Sequence, residues 1–337
     1  MSPKITIVIP VYNAENYLQD CLQSISNQSF DDFEILVIND GSTDHSLEVL
    51  NEFQKKEPRL KIFSQENSGV SVARNLGIVQ ATGDYFMFID ADDWLHPETV
   101  KVYFNTSEKE GSDIVISQFL KVKSTEKQTE LTIENFDRNE IEEKIFPQLI
   151  ETDNYNSVCN KFYKKELIKK SNAQFPIGVR IAEDAQFNHQ VFSLAQKISE
   201  TQFQSYFYRE VEGSATKNVL RNDYLQSNIA IYQHNYQKYF GSSLSEAKIN
   251  KLKINRFFRS IIALIYIYFN PKNQFSLGQR FSKIKEIVNN DMVRKVFSDN
   301  TLKQNLGRYD KAIFNAIQSK NIWKLYIYTL YSYYRSL

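Results

Sequence analysis

The stretch "FMFIDADDW" (residues 86–94) runs four strongly apolar residues into three carboxylates, Asp90, Asp92 and Asp93, within four positions. Carboxylates so close repel one another and raise each other's pKa unless something positive sits among them. Extended backbone has a side-chain period of two, so Asp90 and Asp92 point the same way and can share a hard cation. Mg²⁺ and Mn²⁺ prefer oxygen ligands and keep positions open for water and substrate phosphates, so a D-x-D pair holding such an ion is a clamp for a diphosphate. Alone, a D-x-D is a weak signal, because carboxylates also close strands as turn or capping residues. Its weight depends on where the chain puts it.

The elements before it set that place. "KITIVIP" is a β-branched run ended by Pro10, and "AENYLQDCLQSISNQ" puts Leu18, Leu22 and Ile25 at helical spacing. "FEILVIND" is strand-like again, and "STDHSLEVLNEFQKK" opens with capping types and carries Leu47, Leu50 and Phe53 on one face. "RLKIF", a helical "GVSVARNLGIVQA" and "DYFMFIDAD" follow. Continuous apolar strands alternating with helices imply a parallel sheet covered on both sides. Ligands of such sheets bind beyond the carboxyl ends of the strands. Those ends offer Pro10, Val11, Tyr12 and Asn13, then Asn39, Asp40, Gly41 and Ser42, and finally Asp90, Ala91, Asp92 and Asp93, all facing one crevice.

Asp40 reads as half of an Asp-Gly turn with Ser42 or Thr43 capping the next helix, and its carboxylate can also accept from a nucleobase N–H. Tyr12 can stack on that base or serve as an amphipathic rim residue. Arg74 lies about one turn into a helix whose N-terminus aims at the crevice. It suits a diphosphate or base contact, with a surface ion pair as the plainer alternative.

Taken together, "ITIVIPVYNAENYL", "VINDGSTDHS", "NSGVSVARNLG" and "GDYFMFIDADDW" resemble the family 2 glycosyltransferases over about residues 4 to 100. The resemblance implies a GT-A fold, an α/β nucleotide-sugar-binding domain with a mostly parallel sheet. By position, Pro10, Tyr12 and Asp40 would hold the nucleoside and Arg74 the base or diphosphate. Asp90 and Asp92 would be the metal carboxylates, Asp92 the more direct ligand, and Asp93 would face the sugar. Val11, Asn13, Asn67 and Ala91 complete the implied donor-binding set. In this family the general base usually comes from a Glu-Asp pair about 90 residues past the D-x-D, and "GVRIAEDAQFN" supplies Glu183 and Asp184, with Asp184 as the base. Acids in a first helical turn are also favoured by the helix dipole, which stabilises the ionised form a base needs. Lys161, in "SVCNKFYKKELI", is implied to position the diphosphate or the acceptor. His189 reads as packed or solvated, and His96 as a capping or surface residue, with reach to the metal or phosphate as the alternative.

The implied activity is metal-dependent, inverting transfer of a sugar from a nucleotide donor, UDP-linked, to a hydroxyl of a glycan, lipid-linked, polymeric or glycoprotein acceptor. The implied cofactor is Mn²⁺ or Mg²⁺ and the setting bacterial surface-glycan assembly. One alternative is a nucleotidyltransferase, although "PVYNAENY" stands where a Gly-rich phosphate loop would follow the first strand. Another is a catalytically silent scaffold subunit, against which the intact Asp40, Asp90, Asp92 and Asp184 argue.

The chain's 337 residues, 42% hydrophobic and 24% charged, suit two domains. Residues 1–215 read as the catalytic domain and 216–337 as a helical domain for acceptor, membrane-surface or oligomer contacts. "SDIVISQFLKV" suggests another strand, residues 124–145 a polar loop, and "NSVCNKFYKKELIKK" and "AEDAQFNHQVFSLAQ" partial helices. Residues 251–337 hold 16 Lys and Arg against 4 Asp and Glu, while residues 1–250 hold 25 against 36. So basic and aromatic an end region suits a peripheral membrane contact or a homo-oligomer through its helices. No nucleic-acid partner is expected. Cys21 and Cys159 lack metal or disulfide spacing and suit a reducing cytosol. The N-terminus lacks the apolar core of a signal peptide, and the longest apolar run, "IIALIYIYF" (261–269), falls short of a span. A cytoplasmic protein, or one peripheral to the inner face of the cell membrane, is the expectation.

Overall fold

The computed structural model describes residues 3–121, 132–211, 223–273, 275–299, 301–304 and 306–335. The chain divides into two compact units, residues 1–217 and 218–337.

In the first unit four parallel strands lie in the order β3 (Leu60–Gln65), β2 (Phe33–Asp40), β1 (Ile5–Val11) and β4 (Tyr85–Phe88). Ile7 pairs with Ile35 on one side and Met87 on the other. Ile5, Ile7, Val8, Ile9 and Val11 are fully buried, which is why the strand reads as an unbroken apolar run rather than an alternating one. The connections are α1 (Leu18–Ser26), α2 (Ser46–Gln54) and α3 (Val70–Gln80). Helix α1 buries Leu18, Cys21, Leu22 and Ile25, the predicted stripe with Cys21 added. Helix α3 lies so close to β1 that a Cβ on Gly77 would sit 2.3 Å from Val8 Cγ1.

Ser42 and Thr43 do not cap α2, whose N-cap is His45. Their side of the loop is used to zip it to the loop after β1: Asn13 N donates to Ser42 Oγ at 3.1 Å, Thr43 N to Asn13 Oδ1 at 2.8 Å, and Glu15 N to Asp44 Oδ2 at 3.1 Å. Asn13 takes a left-handed φ of 49° there.

Beyond β4 come β5 (Trp94–Leu95), α4 (Thr99–Glu110) and β6 (Ile114–Lys121), the last as expected. Residues 133–145, expected within a polar loop, form β7 (Ile133–Phe136), α5 (Arg138–Glu140) and a π turn (Ile141–Ile145), and α6 (Phe146–Glu151) follows. Residues 124–131 of that expected loop lie outside the described residues. The segment expected to be helical in part is the strand β8 (Lys161–Lys164) followed by the helix α7 (Lys165–Ser171). Helix α8 (Glu183–Phe192) matches its expectation, and β9 (Ile198–Tyr208) is a strand the pattern did not reveal. The sheet continues β4-β8-β6-β9-β5, with β7 beside β9. Strand β8 is antiparallel to both β4 and β6, so parallel order is confined to the nucleotide-type half and the β6–β9 pair. Phe88, Tyr163, Phe175 and Phe187 interlock below the strand ends, with Phe175 and Phe187 stacked at 4.2 Å.

The second unit is helical: α9 (Tyr224–Gln233), α10 (Gln237–Phe240), α11 (Glu246–Phe269), α12 (Leu277–Asn289), α13 (Asp291–Phe297), α14 (Thr301–Gln304), α15 (Arg308–Gln318) and α16 (Ile322–Arg335). Its core gathers Phe257, Ile261, Leu264 and Ile265 of α11 with Ile287 of α12, Phe314 of α15 and Leu325 of α16. The run "IIALIYIYF" therefore closes this core. No helix among the described residues is long and apolar enough to cross a membrane.

Candidate active site

The chemistry-bearing residues gather where β1, β2 and β4 end. Tyr12, the first residue past β1, is 52% exposed and stands at the rim, whereas Val11 and Ala91 are buried in the floor. Asp40, the last residue of β2, is buried and fully engaged: Oδ1 accepts from Gln65 Nε2 at 2.7 Å and Ser68 N at 2.8 Å, and Oδ2 from Gly69 N at 2.8 Å. It thereby ties the end of β3 and the start of α3 to β2, supplying acceptors that the orphan N–H groups there lack. The next residue, Gly41, has φ +69°, and a Cβ on it would meet Asn67 N at 2.7 Å, so glycine is required for Asn67 to lie against the turn.

Arg74 is the centre of the site. Expected at the surface or on a ligand, it is only 3% exposed. Nη2 donates to Asp90 Oδ1 at 2.8 Å and Nη1 to Asp184 Oδ1 at 2.7 Å, with Glu183 Oε1 at 3.8 Å, while the guanidinium lies over Phe175 at 5.2 Å. One planar fork thus joins the D-x-D of the sheet half to the Glu-Asp pair of α8, 110 positions away in the chain. Burial works against its charge, but Asp184 and Asp90 more than offset that and hold the guanidinium protonated. Asp184 Oδ2 also accepts from Val158 N at 3.1 Å. Burial pushes the Asp184 carboxyl above its ordinary value despite Arg74, and burial with the adjacent Asp184 charge pushes Glu183 up to about 7. Just before the pair, Ala182 is held at φ 69°, a left-handed conformation that aims α8 into the crevice.

The three carboxylates after β4 part company. Asp90 turns to Arg74. Asp93, expected to face the sugar, is instead buried: Oδ2 accepts from Tyr206 OH at 2.7 Å and Oδ1 from Arg209 N at 2.8 Å. Burial, then Asp90, raises its pKa to about 8. Tyr206 OH in turn accepts from Asp90 N at 3.1 Å, and Arg209 Nε donates to the Asp92 carbonyl at 2.9 Å. Tyr206 and Arg209 are residues of the site that sequence reasoning missed. They latch the D-x-D turn from β9, the strand it did not find. The Asp92 carboxylate takes neither the Arg74 pair of Asp90 nor the Tyr206 bond of Asp93, and burial and then Asp90 raise its pKa.

A carboxylate so placed fits a divalent cation, whose charge relieves both burdens. Among the described residues no three His, Cys, Asp or Glu side chains form a ready ligand set. Mg²⁺ or Mn²⁺ held by one or two carboxylates and a substrate diphosphate needs none.

Lys161 feels the Asp184 charge but spends its hydrogen bonds elsewhere. On β8 it is fully buried, and Nζ donates to Ser157 O at 2.5 Å and Asn160 Oδ1 at 2.9 Å, with burial lowering its pKa to about 7. His189 is packed, its Nε2 3.3 Å from Leu149 O, and His96 Nδ1 accepts from Glu98 N at the entry to α4. Cys21 and Cys159 are buried free thiols.

The model of glycosyl transferase family 2 matches residues 6–171, which hold β1 to β4 and the D-x-D and stop short of the Glu183–Asp184 pair. "Uncharacterized glycosyltransferase EpsJ" of Bacillus subtilis (strain 168) is 30% identical over 249 residues, 69% of this chain and 71% of that protein. The chain belongs to glycosyltransferase family 2. "Glycosyltransferase GlyA" of Streptococcus pneumoniae is 34% identical over 222 residues, and the match spans 32% of its length, so the chain covers about a third of that relative. In fold, this glycosyltransferase is similar to S. aureus TarS 1-349 in complex with UDP-GlcNAc, with a TM-score of 0.65 at 20% identity, covering 99% of this chain and 92% of that one. The fold is of the GT-A type.

Proposed function

We propose that this glycosyltransferase moves a sugar, with inversion, from a UDP-linked donor to a hydroxyl of a glycan, lipid-linked, polymeric or glycoprotein acceptor, using Mn²⁺ or Mg²⁺. The observation that carries the reading is the Arg74 fork, which holds Asp90 at 2.8 Å and Asp184 at 2.7 Å and so places the leaving-group carboxylates and the base candidates on two sides of one buried cation. The UDP-GlcNAc held by the TarS neighbour supports the donor class.

Tyr12 supplies the stacking face at the rim and Asp40 holds the loop that borders the base. Asp92, with Asp90 behind it, would hold the ion, which when bound neutralises charge gathering on the leaving diphosphate. Asp184 receives the proton of the acceptor hydroxyl as its oxygen attacks the anomeric carbon. The bond from that carbon to the diphosphate oxygen breaks, and the electron pair leaves with the nucleoside diphosphate. Arg74 and Val158 N fix the carboxylate in place, and burial, then the Asp90 charge, raise its basicity, with the Glu183 carboxylate beside it. Residues 216–337 serve acceptor, membrane-surface or oligomer contacts, in the cytoplasm or at the inner face of the cell membrane.

Release of nucleoside diphosphate from a panel of nucleotide sugars with Mn²⁺, Mg²⁺ or EDTA tests this, alongside Asp92→Ala and Asp184→Asn. The expected result is metal-dependent turnover of one UDP-sugar, lost in both variants while Asp184→Asn still binds nucleotide. Failure of every donor to bind would favour a silent scaffold.

A further inference from the structure

Helix α16 exposes a stripe that the unit's core does not use. Trp323, Ile327, Tyr331 and Tyr334 are 65%, 59%, 60% and 64% exposed. Their spacing confines them to an arc of about 80° over roughly 16 Å of helix. Leu325 and Thr329, on another face, are buried, so the stripe is not a displaced core face. It continues onto α12, where Phe281 packs on Trp323 with ring centroids 4.7 Å apart and Leu277, one turn earlier, is exposed.

Its chemistry selects the occupant. Tyr and Trp carry an apolar body and a polar tip and serve membrane–water boundaries and protein interfaces alike, so the charge around the stripe decides between them. Helix α16 holds no Asp or Glu, Lys324 and Arg335 on it are exposed, and Lys320 stands just before it. Residues 218–337 carry 19 Lys and Arg against 6 Asp and Glu, a net +13. Two copies meeting through this face would bring like charges together with no acid on α16 to pair them. An anionic lipid surface meets the same cations with the opposite sign.

We propose that the α16 face docks on an anionic lipid surface, Trp323, Ile327, Tyr331 and Tyr334 entering the headgroup boundary while Lys320, Lys324 and Arg335 meet lipid phosphates. This goes beyond the transfer reaction and stands whether or not that reading holds.

The test is flotation of the full chain with vesicles of phosphatidylcholine alone or mixed with phosphatidylglycerol, with Trp emission followed in parallel. The variants are Trp323→Ser with Ile327→Ser, and Lys324→Glu with Arg335→Glu, each checked for an unchanged circular dichroism melt. Expected are binding to the mixed vesicles only, weakened by added salt, a blue shift that the Trp323 variant lacks, and about tenfold or greater weakening in either pair. Absence of wild-type binding to mixed vesicles overturns the proposal, and so does binding that survives loss of the stripe. A dimer in vesicle-free solution that the stripe variant dissociates would also overturn it, assigning the face to a second copy.

Discussion

Replacing Arg74 by Met keeps much of the side chain's length and apolar bulk and removes only the fork. Three consequences follow from the geometry. Asp184, bonded at 2.7 Å, and Asp90, at 2.8 Å, lose their cation, and Glu183, 3.8 Å away, is left beside two like charges. Removing one partner of a buried ion pair costs about 3–5 kcal/mol, because the remaining charge stays desolvated. The upper part of that range fits a fork serving two carboxylates. Asp90 is more open to water than Asp184 and recovers part of its loss by hydration, which moves the expectation back to about 3–4 kcal/mol.

At roughly 2–4 °C per kcal/mol for a domain of this size, the first unit's melting temperature falls by about 6–16 °C. Scanning calorimetry on the full chain measures it. Asp184→Asn added to Arg74→Met should restore part of the loss, since the uncompensated charge is then gone, and the cycle should report about 1–3 kcal/mol of coupling. Arg74→Lys keeps the charge but cannot span both carboxylates, so it should fall between. A drop under about 2 °C for Arg74→Met, or a double variant no more stable than the single one, would refute the view that Arg74 holds the two acidic groups together.

The pH profile offers a second check. Glu183 is pushed up to about 7, and Asp184 is raised as well, by burial. A base works only when deprotonated, so if Asp184 is the base kcat/KM should climb with pH through a limb above the ordinary carboxylate range. Glu183→Gln, by removing a like charge, should move that limb to lower pH; a limb that stays put assigns the titration elsewhere. Tyr206→Phe removes the hydroxyl between Asp90 N and Asp93, leaving both buried groups short of a partner. A loss of about 1–3 kcal/mol, with a higher metal concentration needed for half-maximal turnover, is expected, and an unchanged metal requirement would show that the latch does not govern the D-x-D.

What could be read from the sequence was local. Strands β1, β2 and β4 declare themselves because both faces are covered, and the carboxylates and turns at their ends stand beside them in the chain. Strand β9 hides for a physical reason. Its buried Ser199 and Ser205 are satisfied by hydroxyls, Ser112 for the first and Tyr103 and Ser117 for the second, so polar residues occupy core positions and break the apolar pattern. Strand β8 hides for a related one, since Lys161 faces inward on bonds to Ser157 O and Asn160. With those strands unseen, Tyr206 and Arg209 had no place, and Asp93 was naturally grouped with its neighbours toward the donor. Arg74 was legible as a site residue but not in its office. Its partner Asp184 comes from the far side of the inserted antiparallel strands, and no periodicity reports a contact across 110 positions. The Glu183–Asp184 side of the site is therefore built by the part of the chain that reads least regularly. In a crevice of this design, local motifs locate the D-x-D carboxylates, whereas the placement of Asp184 depends on one buried cation.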